Sequence, residues 1–231
     1  MRPSVLPAAV GFVRRLAIGA AFILASCTLP QQLLWSLIPD DTIPVFLANL
    51  KGLETPVQER LAALEAKRDW TGILTLADEA LIKDSRRPEW WLVKGYALEQ
   101  LARWPEAATA YAGMVQFNPL DLEGWFRLAE AERKSGNNSK AINTLERSLQ
   151  VSRESPVAFF MLGELQREQG NFRSATQAYR ESLRLNSDQP LAWFGLGMIA
   201  VAEGRIEDRN AIVERLQSTA PELAKRLAEA R

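Results

Sequence analysis

Glu130 and Glu164 stand 34 residues apart. Two carboxylates at such a spacing are the chain's best candidates for chemistry, since paired acids do acid-base work when their environments push their pKa values apart. The only other reactive group of note is one thiol, Cys27. Histidine is absent altogether, which removes Cys-His dyads, Ser-His-Asp triads and His-based metal sites together. Neither a GxGxxG run nor a P-loop occurs. Acids on helix faces are usually solvated charges. The expectation is therefore no catalytic residue, no metal, no small-molecule substrate and no enzyme.

What must position these groups is a repeat. Trp91, Trp125, Phe159 and Trp193 are spaced 34 apart, as are Gly95, Ala129, Gly163 and Gly197. A period of this length marks a solenoid whose units cannot bury their apolar faces alone, so stacked neighbours form the core and leave an extended concave surface. In the unit from Pro88, Trp91, Gly95 and Leu98 fall at i, i+4 and i+7 on one side of a helix. In the unit from Pro156, the proline suits a first helical turn and Gly170 with Asn171 breaks the helix. Phe172, Ala175, Tyr179 and Ser182 then mark the packed side of its partner. Small residues recur where the helices must touch, the four above in the first helix and Ala107, Ala141 and Ala175 in the second. A divergent unit precedes these from about Thr55. Ile73 in that unit and Arg209 in the last stand where small residues are expected, so the terminal units should pack more loosely or act as caps.

This pattern resembles the tetratricopeptide repeat, which calls for an aromatic, Leu, Gly or Ala, a later Ala, an aromatic and a closing Pro. The match is Phe159, Leu162, Gly163, Ala175 and Tyr179 in the unit from Pro156, and Trp125, Leu128, Ala129, Ala141 and Leu145 in the unit from Leu122. The unit from Pro190 offers Trp193, Leu196, Gly197 and Pro221. The resemblance covers residues 55–221 and implies an all-α, right-handed superhelical solenoid of about five helix-turn-helix repeats with a C-terminal capping helix. It also implies that the position after each periodic aromatic faces the concave groove: Leu92, Phe126, Phe160 and Phe194. Tyr96, Glu130, Glu164 and Met198 follow four residues on, and Arg133 and Arg167 seven. The three phenylalanines would form a ladder suited to an apolar or amphipathic peptide, with Arg127, Arg133 and Arg167 opposite Glu130 and Glu164 giving polar register. The Lys and Asn clamp with which some family members hold a C-terminal carboxylate is absent. The ladder could equally be covered by the chain's own ends, residues 33–50 or the helix from Pro221, because an exposed phenylalanine stripe is a solubility liability.

The N-terminus carries Arg14, Arg15 and an apolar run that ends on Leu24, Ala25, Ser26 and Cys27. The run is about ten residues, too short to span a bilayer as a helix, which needs about twenty. It resembles a bacterial lipobox. That implies a signal peptide over residues 1–26, cleavage before Cys27 and a diacylglycerol thioether on its thiol, with no other cofactor. A lone thiol in an exported chain otherwise has no disulfide partner. Thr28, where an aspartate would retain the protein at the inner membrane, implies the outer membrane, facing the periplasm. Residues 27–54 are apolar, unlike a flexible tether. Leu33, Leu34, Leu37 and Ile38 fit one short helix, and Phe46, Leu47 and Leu50 a second. This segment is expected to lie on lipid beside Trp35 or to cap the first repeat. A surface helix usually carries several basic residues and only Lys51 is present, which favours the cap. Residues 55–231 then form the solenoid.

Removing residues 1–26 takes away three arginines and no acid, which leaves 25 basic against 28 acidic residues. No basic excess exists to drive phosphate contacts, so nucleic acid is not expected as a partner. The expected function is a lipid-anchored scaffold or adaptor that binds protein partners in envelope complex assembly, similar to pilotins or protease adaptors. The alternative is a chaperone of the cytochrome c maturation type with an uncleaved N-terminal anchor.

Overall fold

The computed structural model describes residue 47 and residues 50–230. The expected signal peptide, Cys27, the short helix expected over residues 33–38 and Phe46 lie outside the described residues. Among the described residues there are eleven helices and no strand. Ten of them form five helix-turn-helix units: α1 (Thr55–Ala66) with α2 (Trp70–Lys83), α3 (Pro88–Gln100) with α4 (Trp104–Phe117), α5 (Leu122–Lys134) with α6 (Asn138–Val151), α7 (Pro156–Glu168) with α8 (Phe172–Leu185), and α9 (Pro190–Ala202) with α10 (Ile206–Thr219). The eleventh, α11 (Pro221–Glu229), closes the C-terminal end. No described helix is long and apolar enough to cross a membrane.

Each unit turns at a residue with positive φ. Gly136, Gly170 and Gly204 supply it in the last three units at +79°, +77° and +70°. In the first two, Arg68 at 54° and Ala102 at 55° hold the same place, where a side chain costs about 1 kcal/mol.

The turn between units is held by the periodic tryptophans. Trp91, Trp125 and Trp193 donate their indole N–H to the carbonyls of Ser85, Pro119 and Ser187, six residues upstream, at 2.8, 2.8 and 3.3 Å. These rings therefore reach from the core to the turn. Only Trp125 is buried, whereas Trp91, Phe159 and Trp193 are half-buried. Phe159 has no N–H to give. Its unit begins instead at Ser155, whose hydroxyl accepts the N–H of Ala158 at 3.2 Å.

Small residues in the first helix are matched to large ones in the second. A Cβ on Gly95 would strike the ring of Tyr111, and one on Gly163 the ring of Tyr179; both tyrosines are fully buried. The equivalent places in the third unit hold Ala129 and Leu145. Ala107, Ala141 and Ala175 are wholly buried where the helices meet, and Ile73 is buried as well. Both terminal units pack more loosely than the middle three, as expected: α1 meets α2 over few residues and buries only Leu61 and Glu65, while Arg209 is half-exposed and α10 buries only Leu216.

The core is three linked clusters of side chains. One runs from Leu47 to Ala131 in the last turns of α5, the second joins α5 to α9, and the third is Leu216, Ala224 and Leu227 with Trp193, Phe194, Met198 and Val201 packed against them.

Candidate functional site

First helices of successive units adjoin, and the polar side chains on that face link them. Tyr96 donates to Glu65 of the preceding first helix at 2.9 Å, Arg127 lies 3.5 Å from Glu99, and Arg133 reaches forward to Glu168 at 3.1 Å. Within α5, Arg127 bonds Glu123 at 2.8 Å, and Arg133 holds both oxygens of Glu130 at 2.8 Å in a two-pronged contact. In α7, Arg167 bonds Glu164 at 2.8 Å.

The second helices enter the same network through tyrosine. Tyr111 donates to Glu99 at 2.6 Å, and Tyr179 donates to Glu164 while accepting from Arg167 at 3.3 Å. The result is a run of carboxylates, guanidinium groups and phenols along the face where α1, α3, α5 and α7 meet.

Burial sets the electrostatics. It pushes the carboxyls of Glu65 and Glu99 above the usual carboxylate range, and Tyr111 and Tyr179 well above the usual phenol range. Desolvation opposes the charge on Arg133 and Arg167. The carboxylates of Glu130 and Glu164 outweigh it and hold both guanidinium groups above their ordinary value. Burial also lowers Lys134, which stands 3.8 Å from Glu130. Buried ion pairs of this kind seldom add much net stability, but one partner removed leaves the other uncompensated. Two of them, Arg127 with Glu99 and Arg133 with Glu168, join adjacent units, and the rest lie within one helix.

The structure treats the predicted groove residues unequally. Leu92 and Tyr96 are buried in the same cluster as Leu47, Leu50 and Leu53, which precede α1. Phe160 is only 3% exposed and packs on Tyr179 with ring centroids 6.1 Å apart. Phe194 and Met198 pack against the cluster that includes Leu227 of α11, and the guanidinium of Arg226 lies 5.2 Å from the Phe194 ring centre. Phe126 remains half-buried. Between α5 and α7, Ala129, Met161 and Leu165 line a small depression of about 10 Å³ with Glu130, Arg133, Glu164 and Glu168; Phe126 is not part of its lining. Glu130 and Glu164, the candidate acid pair, thus share one depression, and each is held by the arginine three residues on.

Sequence reasoning passed over Glu65, Glu123, Glu168 and Tyr111, which complete the network. A signal for part of it was present: Glu99 with Tyr111 and Arg167 with Tyr179 are each 12 residues apart, at equivalent places of their units. Among the described residues no group of three or more His, Cys, Asp or Glu stands where it could hold a metal ion.

Known proteins agree with this architecture. A family model for the tetratricopeptide repeat matches residues 63–121 and 160–217, and a second matches residues 122–155. No curated protein matches the chain in sequence. Among solved structures, a MamA protein superposes with a TM-score of 0.62 at 16% identity, covering 80% of this chain and 96% of its own. YrrB, described as a TPR protein with an unusual peptide-binding site, gives 0.61 at 15% identity over 82% of this chain and 96% of its own. A thermophilic TPR protein of Thermus thermophilus, TTC0263, gives 0.55 at 22% identity over 74% of this chain and 95% of its own. With five units in a 34-residue register and family matches over most of its length, this chain belongs to the tetratricopeptide repeat family.

Proposed function

We propose that this chain is a lipid-anchored adaptor of the bacterial envelope, without chemistry of its own, that binds a polypeptide segment across the concave face of its third and fourth units. The observation that supports this most is how the face is covered. Among the described residues, Leu47, Leu50 and Leu53 share a cluster with Leu92 and Tyr96, and Leu227 of α11 shares one with Phe194 and Met198, whereas Phe126 packs against the middle cluster, which holds neither end of the chain.

The three-rung ladder accordingly narrows to one rung. An amphipathic segment would set an apolar side chain on Phe126 and polar groups along Arg133, Glu164 and Arg167; Arg127 and Glu130, expected in the groove, are buried in ion pairs within the chain and are not offered to it. An aromatic anchor at the centre of such an interface is a typical hot spot. YrrB carries a peptide-binding site on the same fold, and the binding role is carried over here as part of the proposal. Anchoring through acylated Cys27, with the solenoid facing the periplasm from the outer membrane, completes it; pilotin-like delivery and presentation to a protease both fit.

Two experiments test the two halves. Mass spectrometry of the mature N-terminus should find residue 27 first and carrying diacylglycerol; an unmodified, uncleaved chain sinks the anchor and favours the maturation-chaperone alternative. A crosslinked pulldown from the native membrane should lose one specific partner with Phe126→Ala and keep it with Ile82→Ala, an exposed residue on α2. An unchanged partner list with Phe126→Ala removes the groove.

A further inference from the structure

Leu47 and residues 50–53 stand outside the 34-residue register, and yet the solenoid holds them as a groove holds a peptide. Leu47, Leu50 and Leu53 are spaced three apart and all buried, Leu47 completely, while Lys51 and Gly52 between them are exposed. Side chains of the solenoid grip the main chain of this segment. The N–H of Leu47 reaches Glu65 at 3.4 Å, and Gln58 donates to the carbonyls of Leu50 and Leu53 at 2.8 and 2.9 Å. Arg87 donates to the carbonyl of Gly52. Gly52 has φ +93°, and a side chain there would collide with Glu89.

Glu65 is shared, since it also accepts the hydroxyl of Tyr96. Main-chain contacts of this sort give affinity, and pockets for spaced side chains give specificity, whether or not the held segment is attached to its receptor.

We propose that the compartment built by Gln58, Glu65, Arg87, Leu92 and Tyr96 is a peptide-binding site, occupied in cis by Leu47 and residues 50–53, whose ligands are short polypeptide segments with leucine at every third position. This rests on the concave face being a polypeptide-binding surface, but concerns its N-terminal end and not Phe126. A segment joined directly to α1 through Glu54 acts at an effective concentration on the order of millimolar, so it fills the site when its own intrinsic Kd is below that, and it raises the apparent Kd of a free peptide by the ratio of the two, about tenfold for an intrinsic Kd of about 100 μM. A partner therefore enters when the cis segment is pulled away.

The test uses the full chain in detergent and a labelled peptide of residues 43–54, IPVFLANLKGLE, read by fluorescence anisotropy. The double variant Leu47→Asp/Leu50→Asp should bind the peptide at least about tenfold more tightly than the unaltered chain, which keeps its own segment in place. Adding Gln58→Ala and Arg87→Ala to that variant should abolish binding, and a peptide with its three leucines replaced by serine should not bind. No binding to a double variant that retains its helical circular dichroism overturns the proposal and leaves a structural cap. If the double variant does not fold, hydrogen exchange on the unaltered chain decides. Amides of Leu50 and Leu53 exchanging while α3 stays protected support a detachable segment, and exchange only together with α3 overturns it. Loss of peptide binding here leaves crosslinking at Phe126 untouched, so the two sites fail separately.

Discussion

Gly163→Ala should destabilise the solenoid, although alanine is the better helix former by about 1 kcal/mol. The added Cβ would stand 2.6 Å from both Cδ1 and Cε1 of Tyr179 and 3.0 Å from its Cγ. Ordinary carbon contacts lie at about 3.5 to 4.0 Å, so the ring must move by about 1 Å. It has nowhere to go. Tyr179 is wholly buried, and Gly195 of α9 presses on its other end, where a Cβ would also meet the ring. Overpacking of this kind costs about 1 to 3 kcal/mol. Displacing the hydroxyl from Glu164 and Arg167 adds about 1 kcal/mol. Net of the helix gain, the expected loss is about 2 kcal/mol, which for a domain of this size lowers the thermal midpoint by about 4 to 8 °C. The double variant Gly163→Ala/Tyr179→Leu recreates the pair found at Ala129 and Leu145, and should cost less than the sum of its singles by about 2 kcal/mol, the relieved clash. Thermal melts of the four proteins read the cycle. A higher midpoint for Gly163→Ala, or additivity in the double, refutes the matching of small to large residues.

Ala102→Gly should raise stability by about 0.5 to 1 kcal/mol, since Ala102 holds the positive-φ place that glycine fills in the last three units; no gain in denaturant midpoint would contradict this. Trp125→Phe should cost about 1 to 2 kcal/mol through the lost indole bond to Pro119 and a smaller ring, and free the turn before α5, seen as faster amide exchange at residues 120–121. Glu65→Gln should lower stability at about pH 4, because the amide nitrogen of Gln cannot accept the bond that one Glu65 oxygen takes from Leu47 or Tyr96. Burial holds the Glu65 carboxyl above its unfolded value, so its contribution is full below the unfolded pKa and is lost as pH rises through the folded one. The deficit of Gln in thermal midpoint should therefore shrink as the pH rises from about 4 to 7, and a deficit that grows is the contrary result.

The fold was legible because solenoid packing repeats. Pro88, Leu122, Pro156 and Pro190 open first helices at the register read from Trp91, Trp125, Phe159 and Trp193. Which positions share a helix face follows from the same register, but not which of them stay accessible. Phe160 lies against Tyr179, whereas the equivalent place behind Phe126 holds the smaller Leu145, and Phe126 is left half-buried. The covers at both ends were equally beyond periodicity. Leu47, residues 50–53 and α11 belong to no full unit, so their docking depends on contacts such as Leu47 with Glu65 that no spacing announces. The dual use of tryptophan was hidden for a similar reason. An indole at the expected core position says nothing of the carbonyl six residues upstream.

The most direct test of polypeptide binding at the third and fourth units is site-specific photocrosslinking in the native membrane. A photoreactive phenylalanine at Phe126 is compared with one at Leu120, which is exposed in the turn before α5. The expected result is one discrete polypeptide adduct from position 126, weakened by Arg133→Ala and absent from position 120. No adduct at 126, or the same adducts from both positions, would contradict a binding groove between α5 and α7.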